Sequence, residues 1–199
     1  MPDASPHTAA ATAAGRAVLV PVKAFNDAKH RLAESLDPDA RSALARDMAT
    51  RVVQAANGVA VFVVCDDEAV AGWATEVGAR VLWRPGTGLN AAVSDGVAAL
   101  AELGVSEVIV AHADLPFAED LTVVTGFEGV TLVPDRHDDG TNVACVPTGA
   151  GFRFAYGPGS FARHCAEATR LGLPLRVLHD AALAWDVDVP ADLPASRAD

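Results

Sequence analysis

Ala17-Val-Leu-Val-Pro-Val22, followed at once by Lys23-Ala-Phe-Asn-Asp-Ala-Lys29-His-Arg31-Leu32, is the stretch that decides the fold. A continuous apolar run with no alternating polar face reads as a strand covered on both sides at the centre of a sheet. The basic loop behind it holds both lysines of the chain, Lys23 and Lys29, in a protein of net charge −11 whose other cations are arginines. A buried strand that ends in such a loop is a place to hold a polyphosphate. Chance clustering in a lysine-poor composition is the plain alternative.

Working outward, strands and helices alternate. Residues 38–57 read as a helix with Asp37 as its N-cap and Gly58 as its stop. A second buried strand is expected over 59–64, a helix over 68–77, a short strand over 80–83, and a helix over 90–103 closed by Gly104. The next strand, 107–111, runs straight into Ala113-Asp114-Leu115-Pro116. Strands near 130–133 and 143–146, a helix over 160–171, a strand near 175–178 and an extended piece over 184–187 complete the pattern. Strands alternating with helices of 10–20 residues mean βαβ units and a mainly parallel sheet, whose ligand lies outside the carboxyl ends of the strands.

The 199 residues suit one domain, placed at 17–193 between a disordered tail over 1–16 and a short tail over 194–199. The first fifteen residues lack a basic leader and an apolar segment, so they do not read as a signal peptide. No apolar stretch is long enough to span a membrane. Cys65, Cys145 and Cys165 make an odd set without Cys-x-x-Cys spacing, which argues for reduced thiols in a cytoplasmic protein and against a zinc ribbon. An acidic balance without a basic stripe argues against nucleic-acid binding.

The strand-end rule picks out the chemistry. Asp114 sits where the strand over 107–111 runs out, and Asp186 and Asp188 share one side of an extended segment. Two such carboxylates suit Mg²⁺, which prefers hard oxygen ligands completed by phosphates and waters. A solvated turn or a helix cap is the ordinary alternative for either aspartate. Tyr156-Gly-Pro-Gly-Ser-Phe161 precedes a helix, with Ser160 as the expected N-cap and Gly157 and Gly159 allowing close approach of an anion to free first-turn amides. Thr141 and Asn142 add a hydroxyl and an amide, and His164 is either an anion ligand or a structural histidine. Gly86-Thr-Gly-Leu-Asn90 opens another helix and is expected to contact a nucleotide base or ribose, the alternative being a plain loop capped by Asn90. The chain has no P-loop, no dinucleotide glycine fingerprint and no serine-hydrolase elbow.

Taken in order, Val20-Pro-Val-Lys23, Ala28-Lys-His-Arg-Leu32, Gly88-Leu-Asn90, Ala113-Asp-Leu-Pro116, Pro134-Asp-Arg136, Gly140-Thr-Asn142, Tyr156 to His164 and Asp186-Val-Asp-Val-Pro-Ala-Asp-Leu193 resemble a known family. It is the family of guanylyltransferases that activate a small phosphorylated acid in the biosynthesis of the deazaflavin coenzyme F-420. The resemblance implies an α/β, GT-A-like nucleotidyltransferase fold, with a mixed, mostly parallel sheet flanked by helices. It places Mg²⁺ on Asp114 and Asp186 and the acid on Thr141, Gly157 and Ser160. It assigns Lys23, Lys29 and Arg31 to the nucleotide, beside Gly88 and Asn90, with Lys23 also among the catalytic groups. The implied reaction takes GTP and phosphoenolpyruvate to enolpyruvyl-diphospho-guanosine and pyrophosphate, the product passing to a downstream transferase. 2-Phospho-L-lactate or 3-phosphoglycerate is the alternative acid. A non-catalytic GTP-binding regulator is the alternative from another class.

Overall fold

Successive residues of the first strand face two different cores, as a doubly covered strand requires. The computed structural model describes residues 15–193; of the tail expected over 1–16 all but the last two residues, and the whole tail expected over 194–199, lie outside them. The strands are β1 (Arg16–Pro21), β2 (Ala60–Cys65), β3 (Arg80–Trp83), β4 (Glu107–Ala111), β5 (Val130–Pro134), β6 (Thr141–Pro147) and β7 (Leu175–Val177). Val18 and Val20 pack on one side with Val61, Val63, Ile109 and α1 (Pro38–Gln54) and α2 (Glu68–Glu76). Ala17 and Leu19 pack on the other with Phe62, Val64, Val108 and Val110, beneath α3 (Gly88–Glu102) and α4 (Ser160–Arg170). Each of the Val, Leu, Ile and Phe side chains named here contributes about 1.5–3 kcal/mol relative to exposure.

The sheet order is β3-β2-β1-β4-β6-β5-β7. β1 is parallel to β2 and β4, β2 to β3, and β5 to β7, whereas β6 is antiparallel to both β4 and β5. The mixed, mostly parallel α/β sheet is therefore as expected, and the reversal of β6 matters for the site. It brings Thr141, the first residue of β6, to the same rim as the last residues of β1, β4 and β5.

Several boundaries move, for local reasons. Asp37 caps α1 by accepting from the Ala40 N–H at 2.8 Å, but the helix stops at Gln54, and Asn57 and Gly58 turn the chain at positive φ. α3 starts at Gly88, so Asn90 lies in its first turn and is not its cap. Ser160 is likewise not the cap of α4: Gly159, at φ 72°, takes that place and Ser160 is the first helical residue. The stretch 184–187 forms no strand. Arg16 already belongs to β1.

A satellite cluster locks the functional rim. Leu32, behind the basic loop, packs with Met48 of α1 and with Val187, and all three are buried. Val187 lies between Asp186 and Asp188, so burying it fixes where both carboxylates emerge.

Candidate active site

Lys29, Arg31, Asp114, Asp186 and Asp188 converge at the rim where β1 and β4 end. The Lys29 Nζ donates to Asp114 Oδ2 at 2.6 Å and reaches Asp188 Oδ1 at 3.5 Å, while an Arg31 Nη1 meets Asp188 Oδ2 at 3.5 Å. Val187 N–H donates to the Asp114 carbonyl at 3.3 Å, tying the two acidic segments together. Lys29 holds its backbone at φ 57°, a left-handed conformation uncommon for a side chain of this size.

The charges are unevenly compensated. Burial would raise the Asp114 pKa, but the ammonium of Lys29 and then His112 outweigh it and hold the carboxyl below the usual range. Burial would depress Lys29, but Asp114 and Asp188 move it upward instead. Asp186 goes the other way: burial first, then the charges of Asp114 and Asp188, push its pKa up, only partly offset by a hydrogen bond from Asn142. Asp114 Oδ1 is buried with no hydrogen-bond partner. A carboxylate oxygen without a donor, beside a second carboxylate that resists ionisation, is a place where added positive charge is stabilising.

A cleft of about 290 Å³ opens beside Asp114, lined by Lys23, Phe25, Lys29, Leu89 and His112 among others. A smaller cavity of about 80 Å³ continues past Lys23 and Leu89 to Asp66, Arg84 and Gly88. Lys23 lines both. Gly88 has φ +71° and open space where a Cβ would stand, so its backbone faces the smaller cavity unobstructed. Asn90 does not point there. Its Oδ1 accepts from the Tyr156 N–H at 2.7 Å and its Nδ2 donates to the Tyr156 carbonyl at 3.4 Å.

Thr141, Gly157 and Ser160 form a second cluster. Ser160 Oγ accepts from the Thr141 N–H at 3.0 Å, and Ser160 N–H donates to the Gly157 carbonyl at 2.9 Å. His164 is structural: it is fully buried, its Nε2 accepts from the Ala155 N–H at 2.9 Å, and its Nδ1–H therefore donates to Thr141 Oγ1 at 3.0 Å. Burial, with the nearby Arg163 charge, pushes its pKa down to about 4. Both hydroxyls thus act as acceptors inside the protein, leaving their own hydrogens to donate. The first-turn amides of α4 are not free as expected. Gly159 N–H donates to Asp139 Oδ2 at 3.1 Å and Phe161 N–H to the Asp139 carbonyl at 3.0 Å. Asp139 takes up amides that the sequence reading assigned to an anion. Asn142, next to Thr141, donates its Nδ2 to the Leu183 carbonyl at 3.0 Å and so ties this cluster to the segment that leads to Asp186.

Comparisons with known proteins bear on what this rim belongs to. A family model described as "Guanylyl transferase CofC like" matches residues 16–195. The chain belongs to this family. Among curated relatives of the CofC-like chain, the phosphoenolpyruvate guanylyltransferase of Sphaerobacter thermophilus is 39% identical over 184 residues, covering 88% of this chain and 89% of its own. That of Rubrobacter xylanophilus is 37% identical over 184 residues, covering 88% and 90%. A putative nucleotide-diphospho-sugar transferase from Desulfovibrio desulfuricans G20 superposes with a TM-score of 0.72 at 16% identity, over 88% of this chain and 83% of that one. A 4-diphosphocytidyl-2C-methyl-D-erythritol synthase superposes with a TM-score of 0.63 at 14% identity, over 89% and 94%. At such identities the two structures speak for the nucleotidyltransferase fold. Two residues that sequence reasoning left without a role, His112 in the cleft wall and Arg163 in α4, prove to line or hold the site of this CofC-like chain. Arg163 stood in the quoted motif, but nothing in its spacing tells which carbonyls its side chain meets.

Proposed function

We propose that this chain transfers the guanylyl group of GTP to phosphoenolpyruvate, releasing pyrophosphate, as a step of coenzyme F-420 biosynthesis. The observation that carries the reading is the rim at Asp114: a carboxylate with one buried, unpartnered oxygen, a neighbouring Asp186 whose ionisation burial opposes, and Lys29 paired with Asp114 in the wall of the cleft. The relatives' names supply guanine and the acid.

The residues fit Mg²⁺. Asp114 and Asp186 offer two hard carboxylate oxygens, the kind of donor Mg²⁺ takes when phosphates and waters complete its shell. When bound there, Mg²⁺ supplies Lewis-acid polarisation and charge neutralisation for phosphoryl oxygens.

The chain's own groups do the rest. Lys23, exposed between the two cavities, pairs with the triphosphate, and Lys29 and Arg31 flank it from the loop behind β1. Gly88 admits the nucleotide to the smaller cavity. Thr141 and Ser160 donate their hydroxyl hydrogens, and Gly157 its N–H, to the acid. A phosphate oxygen of the acid attacks the α-phosphorus of GTP; that P–O bond forms as the bond to the β-phosphate bridging oxygen breaks, and pyrophosphate leaves with the electron pair. The nucleophile is anionic at neutral pH and needs no general base. Catalysis by positioning and charge stabilisation follows.

Pyrophosphate release from GTP and Mg²⁺, with phosphoenolpyruvate, 2-phospho-L-lactate and 3-phosphoglycerate offered separately, tests this. Release with phosphoenolpyruvate is expected. Preference for another acid would change the specificity only, and GTP binding without release under any acid would favour a non-catalytic regulator.

A further inference from the structure

The peptide joining Ala155 to Tyr156 is held at both ends. Its carbonyl accepts from Arg163 Nε at 3.1 Å and from an Arg163 Nη2 at 2.8 Å, while its N–H donates to Asn90 Oδ1 at 2.7 Å. The same guanidinium reaches the Gly157 carbonyl at 3.2 Å and the Pro158 carbonyl at 2.6 Å. The N–H on the far side of the Pro158 carbonyl, that of Gly159, goes to Asp139. Three carbonyls of one short loop are thus turned onto a single planar fork, a geometry that lysine cannot reproduce. Asn90 grips the loop from the opposite side, from the first turn of α3 beside the nucleotide cavity.

In a trans peptide the C=O and N–H point in opposite directions. The Tyr156 carbonyl faces Asn90 at 3.4 Å, so the Gly157 N–H is turned away from it. From Ala155 to Phe161 the other N–H groups have partners: His164 for Ala155, Asn90 for Tyr156, Asp139 for Gly159 and Phe161, and the Gly157 carbonyl for Ser160. Pro158 has none to give. Gly157 N–H alone in this run has no partner in the fold, and its φ of +118° is one that glycine accepts without strain. Gly157 is exposed, so its N–H meets water in the free protein and can exchange that water for a ligand oxygen, while the loop around it is already held in place.

We infer that Asn90 and Arg163 are positioning residues that clamp the acceptor loop and present the Gly157 N–H to an anionic oxygen of the phosphorylated acid. Asn90 thereby acts on the acid and not on the nucleotide. The inference rests on the acceptor assignment proposed above. Both side chains are exposed, so replacing them leaves the core intact.

Steady-state kinetics of the full chain with GTP, Mg²⁺ and phosphoenolpyruvate, together with thermal melting, test the clamp in wild type, Arg163→Ala, Arg163→Lys, Asn90→Ala and the Arg163→Ala/Asn90→Ala pair. Arg163→Ala is expected to raise KM for the acid about tenfold, with KM for GTP and the melting temperature unchanged. Arg163→Lys, which keeps the charge without the fork, is expected to raise it less. Because both side chains hold one peptide, the double variant should exceed the larger single effect by no more than about twofold. An unchanged acid KM, fully additive effects, or both KM values and the melting temperature moving together would overturn the clamp. So would an Asn90→Ala variant that raises KM for GTP alone. Wild-type protein that releases no pyrophosphate with any acid would overturn the acceptor reading and the clamp with it, whereas active wild type with unresponsive variants overturns the clamp only.

Discussion

The Lys29 ammonium lies 2.6 Å from Asp114 Oδ2, so the carboxylate best placed to hold a metal ion is already paired with a cation of the chain itself. The Lys29 side chain is only 10% exposed and that of Asp114 22%, which makes the pair stronger than a surface salt bridge and leaves Lys29 as a direct competitor for the ion. Lys29→Ala is therefore expected to tighten nucleotide-free Mn²⁺ or Mg²⁺ binding by about tenfold while lowering turnover at least as much. Metal titration without GTP reads the first effect and the pyrophosphate assay the second. Weaker metal binding in the variant would mean that Lys29 supports the metal site and does not compete with it.

Asp186 presents the opposite balance. Burial and the charges of Asp114 and Asp188 raise its pKa, so the folded chain holds that proton more tightly than the unfolded chain does. The sign follows: stability is lost as pH climbs from the ordinary carboxylate pKa through the raised one, and the cost persists at neutral pH. Asp186→Asn is expected to raise the melting temperature of the metal-free protein at pH 7 by about 2–4 °C, to abolish stabilisation by Mg²⁺, and to stop turnover. A lower melting temperature would show that the ionised carboxylate contributes favourably to the fold.

The strands and helices that carry these groups were legible in the sequence because both faces of the sheet are buried. That burial wrote β1, β2 and β4 as unbroken apolar runs, and the strand-end rule then pointed to Asp114 and to the loop of Lys23 and Lys29. What was not legible depends on side-chain direction. Ser160 reads as an N-cap in any single sequence, yet Gly159 takes the cap and frees Ser160 to accept from Thr141. The first-turn amides of α4 read as free for an anion, yet the Asp139 carboxylate takes the Gly159 N–H. Asn90 sits in a loop that suggests a nucleotide contact, but its amide meets the backbone of Tyr156, 66 residues away. The segment 184–187 forms no strand; what places Asp186 and Asp188 is the burial of Val187 against Leu32 and Met48.

Ser160 has two tasks, so Ser160→Ala should show both. Removing Oγ leaves the Thr141 N–H without its acceptor, a loss of about 1–3 kcal/mol for a buried donor. It also removes a hydroxyl donor from the proposed acid site. Denaturant unfolding is expected to register the first, and a raised KM for the acid at nearly constant kcat the second. A collapse of kcat with KM unchanged would contradict the role given to Ser160.

His164 sets an acid limit on the fold. Its pKa is pushed down to about 4, from an ordinary value near 6.5, because it is buried as a neutral ring. The stability tied to that neutral ring is fully present above the unfolded pKa and lost as pH falls from about 6.5 towards 4, at most about 3 kcal/mol in all. Urea unfolding at pH 7 and pH 4.5 should show most of this loss in the wild type and much less in His164→Gln. Equal losses in both proteins would assign the acid sensitivity elsewhere.

The most direct test of guanylyl transfer follows the label from GTP carrying ³²P at the α position, incubated with phosphoenolpyruvate and Mg²⁺, in wild type and Asp114→Asn. Attack at the α-phosphorus predicts that wild type moves the label into a new, acid-dependent species of the mass of enolpyruvyl-diphospho-guanosine, and that Asp114→Asn, whose amide still accepts from Lys29, folds but moves none. Label that stays in GTP or appears in GDP, or an Asp114→Asn variant as active as wild type, would contradict the account.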